Sequence, residues 1–387
     1  MRAQKKKYVF LQSRLSCKSS ARAEETEKKA LLGCTQAELQ DIAAALGQPR
    51  FAARQLMEWI YRKQARSFDE MTNLSKAFRT QLAERYVVGI VPPVESLRSV
   101  DGTVKYLFRI REGQYVEAVY IPAERADRSE ADDDGSTQRA TLCISSQVGC
   151  KMHCQFCMTG RQGFSANLTA GEILNQIVAV PEYEQLTNVV LMGMGEPMDN
   201  LDEVLKALRL LTDAQTMGWS PRRITVSTVG VRDTLQRFLD ECECHLAISL
   251  HAADLKVRYD MMPAERLCSI TELLPVLRKY DFSGQRRLSF EYILFDGVND
   301  SMADARRLVR LLDGLHCRIN LIRFHAIPDA QLDGVPMERM VVFRDYLTRS
   351  GIFTTIRASR GEDVMAACGM LSTQKQKNES KKTIQMQ

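Results

Sequence analysis

Cys150, Cys154 and Cys157 lie within one short run, GCKMHCQFCMTG (149–160), and theirs is the spacing that most directly implies chemistry. Three thiolates on one tight loop can ligate three corners of a four-iron, four-sulfur (4Fe-4S) cluster and leave the fourth iron open for a cosubstrate. A zinc site, with His153 as an extra donor, or buried free thiols are the competing readings. Zinc loops, however, show CxxC pairs with a second ligand pair elsewhere. The other Cys/His grouping, Cys242, Cys244 and His245, opens an apolar run where alternating cysteines read as small core residues.

The elements that must position such a loop are legible downstream of it. From Thr141 onward, short β-rich runs alternate with helical ones: 141–146, 187–193, 223–230, 244–251, 288–295 and 318–325, with starts 21 to 46 residues apart. Most of those intervals hold a crossover helix between parallel strands. Thr169 with Glu172 and Ser269 with Glu272 are capping boxes for two of the helices. Six such units predict an α/β fold, a partial, open (βα)6 barrel, and a last strand over 353–359 leads into a segment containing Cys368. In barrels of this kind the chemistry sits at the C-terminal strand ends. The cysteine loop falls there, as do Gly193-Met194-Gly195-Glu196-Pro197 after the second strand, Ser227 at the end of the third and Ser249-Leu250-His251 at the end of the fourth. Glycines permit close backbone approach, and a carboxylate can receive an ammonium group.

Residues 32–115 read as a small, mostly helical accessory domain. Thr35 with Glu38 opens a helix that Gly47 stops. The next helix, 51–64, puts Phe51, Leu56, Trp59 and Ile60 on a buried stripe and Arg50, Arg54, Arg62, Lys63 and Arg66 on a basic face; from Val87 to Val119 the texture is strand-like. The polar run 124–138 reads as a surface insertion in a barrel domain spanning 116–373. Residues 1–22 carry seven basic residues and no acid, and 374–387 four lysines and one acid, so the formal charge of +5 over 387 residues hides an acidic body. Residues 1–31 and 374–387 are expected to be disordered basic extensions. With 45% hydrophobic and 26% charged residues the chain is an ordinary globular one. It has no run near the roughly 18 apolar residues of a spanning helix. Eleven cysteines without a secretion signal point to a reducing, cytoplasmic setting.

The CxxxCxxC loop with Phe156 before its last cysteine resembles the radical S-adenosylmethionine (SAM) superfamily, and Gly195-Glu196 resembles that superfamily's motif for the SAM amino group. More specifically, VEAVYIP (116–122), 141–157, 160–164, 188–197, 246–251 and RGEDVMAACG (360–369) together resemble the bacterial dual-specificity 23S rRNA and tRNA adenine carbon-2 methyltransferases, over about residues 32 to 373. The resemblance implies a 4Fe-4S cluster on Cys150, Cys154 and Cys157, and two SAM molecules per turnover. SAM would be contacted by Gly195, Glu196, Ser227, Ser249, Leu250 and His251, and by His325 where family members commonly carry Asn. It also implies that Cys368 is methylated, that a radical formed on that methyl group adds to adenine, that Cys143 resolves the adduct through a transient disulfide, and that Glu117 is the acid/base.

That inventory makes chemical sense. Carbon 2 of adenine lies between two ring nitrogens and is too electron-poor to attack a methyl sulfonium, so a radical route is required. Transfer through cysteine needs one sulfur to carry the carbon and another to release it. The implied partners are rRNA, tRNA and an electron donor such as flavodoxin or ferredoxin, with no membrane and a monomeric enzyme. For RNA, the basic helix 50–66, Arg222 with Arg223, and Arg286 with Arg287 are the expected phosphate contacts over the barrel. The alternatives are the sister enzymes that methylate carbon 8 of the same rRNA adenosine, a radical-SAM activase acting on protein, and a non-catalytic iron-sulfur electron carrier.

Overall fold

The computed structural model describes residues 28–123, 139–324, 331–357, 359–364 and 370–375. The two expected extensions, apart from a few residues at their inner ends, lie outside the described residues, as do the 124–138 insertion, His325 and Cys368.

A short parallel pair, β1 (Lys29–Ala30) with β2 (Tyr86–Val87), closes the N-terminal unit. Helix α1 (Gln36–Ala45) starts at the expected capping box, with the Thr35 N–H donating to Glu38 at 2.7 Å, and buries Leu39, Ile42 and Ala43. Helix α2 (Phe51–Met57) is shorter than expected, because the chain widens into one π-helical turn over Glu58–Arg62 before α3 (Lys76–Arg85). Leu56 and Ile60 are buried and Trp59 half-buried, but Phe51 is 63% exposed. As the first residue of α2 it precedes the stretch that packs on α1.

Among the described residues the main sheet has ten strands. An antiparallel section, β3 (Glu95–Arg98), β4 (Val104–Arg111) and β5 (Gln114–Ile121), joins β6 (Thr141–Cys143), also antiparallel to β5. Beyond β6 come β7 (Gln147–Gly149), α4 (Met158–Gln162) and β8 (Phe164–Asn167), with β7 and β8 paired as a small hairpin across the cysteine loop. The chain then winds through α5 (Ala170–Val178), β9 (Asn188–Leu191), α6 (Leu201–Thr212), β10 (Ile224–Thr228), α7 (Arg232–Glu241) and β11 (His245–Ser249). It continues through α8 (Leu255–Met261), α9 (Ile270–Leu277), β12 (Leu288–Leu294), α10 (Met302–Leu311), β13 (Arg318–Arg323), α11 (Met337–Arg349) and β14 (Phe353–Arg357). Strands β6 and β9 to β14 pair in parallel in chain order, the expected six units and last strand. The antiparallel extension is additional, so residues 95–115 are hydrogen-bonded into the same sheet as the barrel.

Alternation along the parallel strands separates two environments. Ile224, Val226, Leu246, Ile248, Leu288, Phe290, Ile319 and Leu321 are buried in the main core. The alternate positions, including Thr225, Ser227, Ser249, Ser289, Glu291, Asn320 and Thr355, make the other face polar. Register sets Ser249, Glu291, Asn320 and Thr355 side by side across four strands.

The N-terminal unit is seated on the barrel. A Cβ on Gly33 would stand 2.3 Å from the Gly171 nitrogen, so the two backbones meet directly. Asn175 of α5 brackets Val91 with bonds to its N–H (2.8 Å) and carbonyl (2.9 Å), and Lys206 of α6 pairs with Glu38 at 2.8 Å.

Candidate active site

The cysteine loop is fixed by backbone contacts that leave no room for side chains. Gly149 has φ +75°, and a Cβ there would fall 1.7 Å from the Gly163 carbonyl, which itself accepts the Cys150 N–H at 3.1 Å. His153 takes a positive φ of 52° and bonds the Gly160 carbonyl through Nδ1 at 3.1 Å. Phe156 meets the His251 ring edge-on at 4.8 Å and Phe295 at 5.6 Å, while Gln155 donates to the Met261 and Asp260 carbonyls of α8. Cys150 and Cys154 are buried in an apolar cluster with Met152, Met261, Met262 and Phe295, and Cys157 packs against it.

Burial pushes the Cys150 thiol up to about 12, and burial, with the charges of Cys157 and Cys150, raises Cys154 well above its ordinary value. A bound cluster, being cationic toward the sulfurs, would favour the thiolates. Three cysteines on one loop, two buried and one packed against the same apolar cluster, are the donor set for three corners of a 4Fe-4S cluster. Cys242, Cys244 and His245 sit at the opposite end of β11. The two cysteines are in the core, and the His245 Nδ1 accepts the Arg287 N–H.

The predicted cosubstrate residues gather at the strand ends. Gly193 and Gly195 let the loop after β9 lie against the chain after β6; a Cβ on Gly195 would stand 2.5 Å from that of Gln147. Glu196 is buried. Its carboxylate accepts the Met198 N–H at 3.0 Å and the Val229 N–H at 2.9 Å, joining the ends of β9 and β10, and burial raises its pKa against those bonds. Further lone pairs remain for an ammonium group. Ser227 and Ser249 are half-buried on the polar face, and Leu250 is wholly buried. His251 has φ 53°, and burial lowers its pKa to about 3. Its Nδ1 accepts the Ile293 N–H at 3.1 Å, so the neutral ring carries its proton on Nε2.

Glu117 and Cys143 occupy one face of adjacent strands: Cys143 lies opposite Val119, and Glu117 is two residues from Val119. The Glu117 carboxylate is buried, 3.1 Å from the Lys105 Nζ, and accepts the Ser372 N–H at 2.7 Å. Gln162 of α4 bonds the Ser372 hydroxyl at 2.9 Å and also Thr373; Leu371 is buried with Leu107 and Tyr115, and Met370 packs on the cysteine-loop cluster. Residues 370–375 thus run from the cysteine loop to Glu117.

Comparison with known proteins agrees with this geometry. Residues 29–88 match the ribosomal RNA large subunit methyltransferase N-terminal domain, and 144–309 match the radical SAM superfamily. A probable dual-specificity RNA methyltransferase RlmN of Phocaeicola vulgatus is 60% identical over 361 residues, 93% of this chain and 100% of the relative. The chain belongs to the RlmN family. The dual-specificity RNA methyltransferase RlmN of Desulfotalea psychrophila is 42% identical, over 90% of this chain and 96% of its own length. A crystal structure of a radical SAM methyltransferase from Sphaerobacter thermophilus superposes with a TM-score of 0.79 at 41% identity, covering 88% of this chain and 98% of that one. As an RlmN-family member the chain is a SAM-dependent radical RNA methyltransferase that uses a 4Fe-4S cluster, and the activase and electron-carrier alternatives fall.

Part of the expected RNA surface is corrected by the fold of this RlmN-family chain. Arg222, Arg223, Arg286 and Arg287 immediately precede β10 and β12, and parallel strands put those starts on the face away from the barrel mouth. Arg286 is also consumed by the carbonyls of Leu239 and Cys242. In the N-terminal unit Arg50, Arg54, Arg62, Lys63 and Arg66 are all exposed, although Arg62 donates to the Ala214 carbonyl and Lys63 folds over Trp59 toward Glu58. Sequence reasoning passed over Lys105, Gln147, Gln162 and Arg258. A lysine inside the apolar strand VKYLFRIR was the one signal on offer, since a charge there needs a partner. Among the described residues no helix is long and apolar enough to cross a membrane.

Proposed function

We propose that the chain methylates carbon 2 of adenosine in 23S rRNA and of the adenosine next to the anticodon in tRNA, with Cys368, Cys143 and Glu117 as its reacting groups. Cys150, Cys154 and Cys157 would hold the cluster, and Gly195, Glu196, Ser227, Ser249, Leu250 and His251, with His325 as a further contact, would bind SAM beside it. Reduced, such a cluster supplies the electron that makes SAM a source of the 5′-deoxyadenosyl radical. Cys368 carries the methyl carbon. Once that carbon is bonded to carbon 2 and the adduct has given up one electron to an oxidised iron–sulfur acceptor and its carbon-2 proton, the Cys143 thiolate attacks the Cys368 sulfur. The sulfur–carbon bond breaks as the disulfide forms, and the released carbon takes up a proton to become the methyl group. Glu117 takes the proton from carbon 2.

The observation that carries this reading is the convergence at Glu117: Cys143 shares its face of the sheet, and Ser372, four residues after Cys368, donates to its carboxylate. Met370, two residues after Cys368 in the sequence, packs on the cysteine-loop cluster. We place the accessory role, RNA binding, in the helical part of the expected 32–115 unit, residues 32–88, since β3 and β4 belong to the barrel's own sheet. The proposed setting is cytoplasmic, with a monomeric enzyme reduced by flavodoxin or ferredoxin.

The test is reduced, cluster-loaded enzyme with methyl-labelled SAM and RNA. Wild type is expected to yield 2-methyladenosine, Cys368→Ala no methylated RNA, and Cys143→Ala a covalent protein–RNA adduct. Chromatographic identification of 8-methyladenosine instead would assign the sister regiochemistry, and full turnover by both variants would remove the cysteine mechanism.

A further inference from the structure

Among the described residues Arg258 is the largest side chain that is wholly buried, 0% exposed, in the middle of α8. A guanidinium is tolerated there only if its donors are filled. Its Nε donates to the Leu250 carbonyl at 3.1 Å, and its Nη2 donates to the carbonyls of Ser249 at 3.0 Å and Val229 at 3.2 Å. Its Nη1 faces the buried Glu265, which in turn accepts the Ile270 N–H and the Ser269 hydroxyl at the start of α9. One side chain therefore grips the chain at the ends of β10 and β11. The same helix also holds the cysteine loop, because the Asp260 and Met261 carbonyls receive the side-chain and backbone N–H groups of Gln155. The three gripped carbonyls belong to Ser249, to its neighbour Leu250, and to Val229, two residues past Ser227.

We propose that Arg258 is a positioning residue for SAM: its planar fork fixes the two strand ends that present Ser227, Ser249 and His251, in register with the cluster loop held by the same helix. The proposal rests on the reading that these strand ends take SAM. A lysine in its place would keep the charge but lose the fork, since an ammonium cannot reach three carbonyls on two strands with fixed planar donors. The requirement is for geometry, and charge alone does not meet it.

The test compares full-length wild type, R258K and R258M, anaerobically reconstituted, for thermal midpoint, iron and sulfide per chain, SAM affinity and RNA affinity. It also follows the change in the cluster's paramagnetic spectrum on adding SAM, and amide exchange at Val229, Leu250 and His251 without cofactors. R258K is expected to stay folded, to load its cluster and to bind RNA as wild type does. It should bind SAM roughly tenfold or more weakly, with a diminished spectral response and faster exchange at those three amides. Its KM for SAM should rise more than its kcat falls. If R258M does not fold, R258K decides. SAM affinity and spectral response equal to wild type in a folded variant would overturn the proposal. So would loss of the fold or of the cluster in R258K, because Arg258 would then support the barrel at large. Failure of loaded wild type to bind SAM would instead remove the underlying reading of the strand ends.

Discussion

Lys105 and Glu117 are each 1% exposed at the side chain and 3.1 Å apart, which makes them a pair to be removed together or not at all. Truncating one partner takes the counter-charge from the other buried ion, at a cost of about 3–5 kcal/mol, whereas replacing both by apolar groups of similar volume is often near neutral. Lys105→Met is therefore expected to lower unfolding free energy by that amount in denaturant titrations. Lys105→Met/Glu117→Leu should recover most of the stability while remaining inactive; equal stability of the single variant and wild type would show that the pair is not desolvated. His251 gives a pH prediction. Burial lowers its pKa from 6.5 to about 3, so below pH 6.5 the unfolded chain takes up a proton that the folded chain refuses. The stability this neutral ring contributes is complete above pH 6.5 and is lost as pH falls toward 3, at up to about 1.4 kcal/mol per pH unit. Urea unfolding of wild type and His251→Gln between pH 7 and 5 is expected to show a steeper loss for wild type.

The β7–β8 hairpin is the element that turns three cysteines into a site, and it depends on the missing Cβ of Gly149. A methyl group 1.7 Å from the Gly163 carbonyl, at φ +75°, forces the hairpin apart. Gly149→Ala is expected to purify folded but with much less iron per chain than wild type, whereas Gly163→Ala, with φ +76° but open space around its Cβ, should cost less. This hairpin was not legible in the sequence. Its strands are three and four residues long and show no alternation, and the glycine reads as a turn until its contact with Gly163 is seen. The parallel strands and the capping boxes at Thr35, Thr169 and Ser269 were legible, because period-2 apolar runs and cap residues are local signals. The cysteine spacing, the glycines after β9 and the polar strand ends were legible for the same reason. What escaped was set by tertiary pairing: the antiparallel strands β3 to β5 joining the barrel sheet, Phe51 left outside the core, and Arg258, whose partners are backbone carbonyls 8 to 29 residues away in sequence.

Across the whole molecule, the seat of the N-terminal unit decides which basic residues can work with the mouth. Gly33 against Gly171, Asn175 on Val91 and Lys206 on Glu38 hold that unit on α5 and α6, so the exposed Arg50, Phe51 and Arg54 at the start of α2 keep a fixed relation to the barrel. Two cations beside an exposed aromatic ring suit a nucleic-acid strand, with phosphates for the guanidiniums and a base face for the ring. Arg287, just before β12, lies at the strand starts, the end of the sheet away from the mouth. Each phosphate contact contributes about 0.7 to 0.9 to the slope of log affinity against log salt. Arg50→Glu/Arg54→Glu is thus expected to reduce that slope by about 1.5 and to weaken RNA binding roughly tenfold or more near 0.1 M salt, with kcat at saturating RNA close to wild type. Arg287→Glu should leave affinity and slope unchanged. Filter-binding titrations across a salt series decide the matter: an unchanged slope in the double variant, or a loss equal to it in Arg287→Glu, would mean that RNA approaches by a different face.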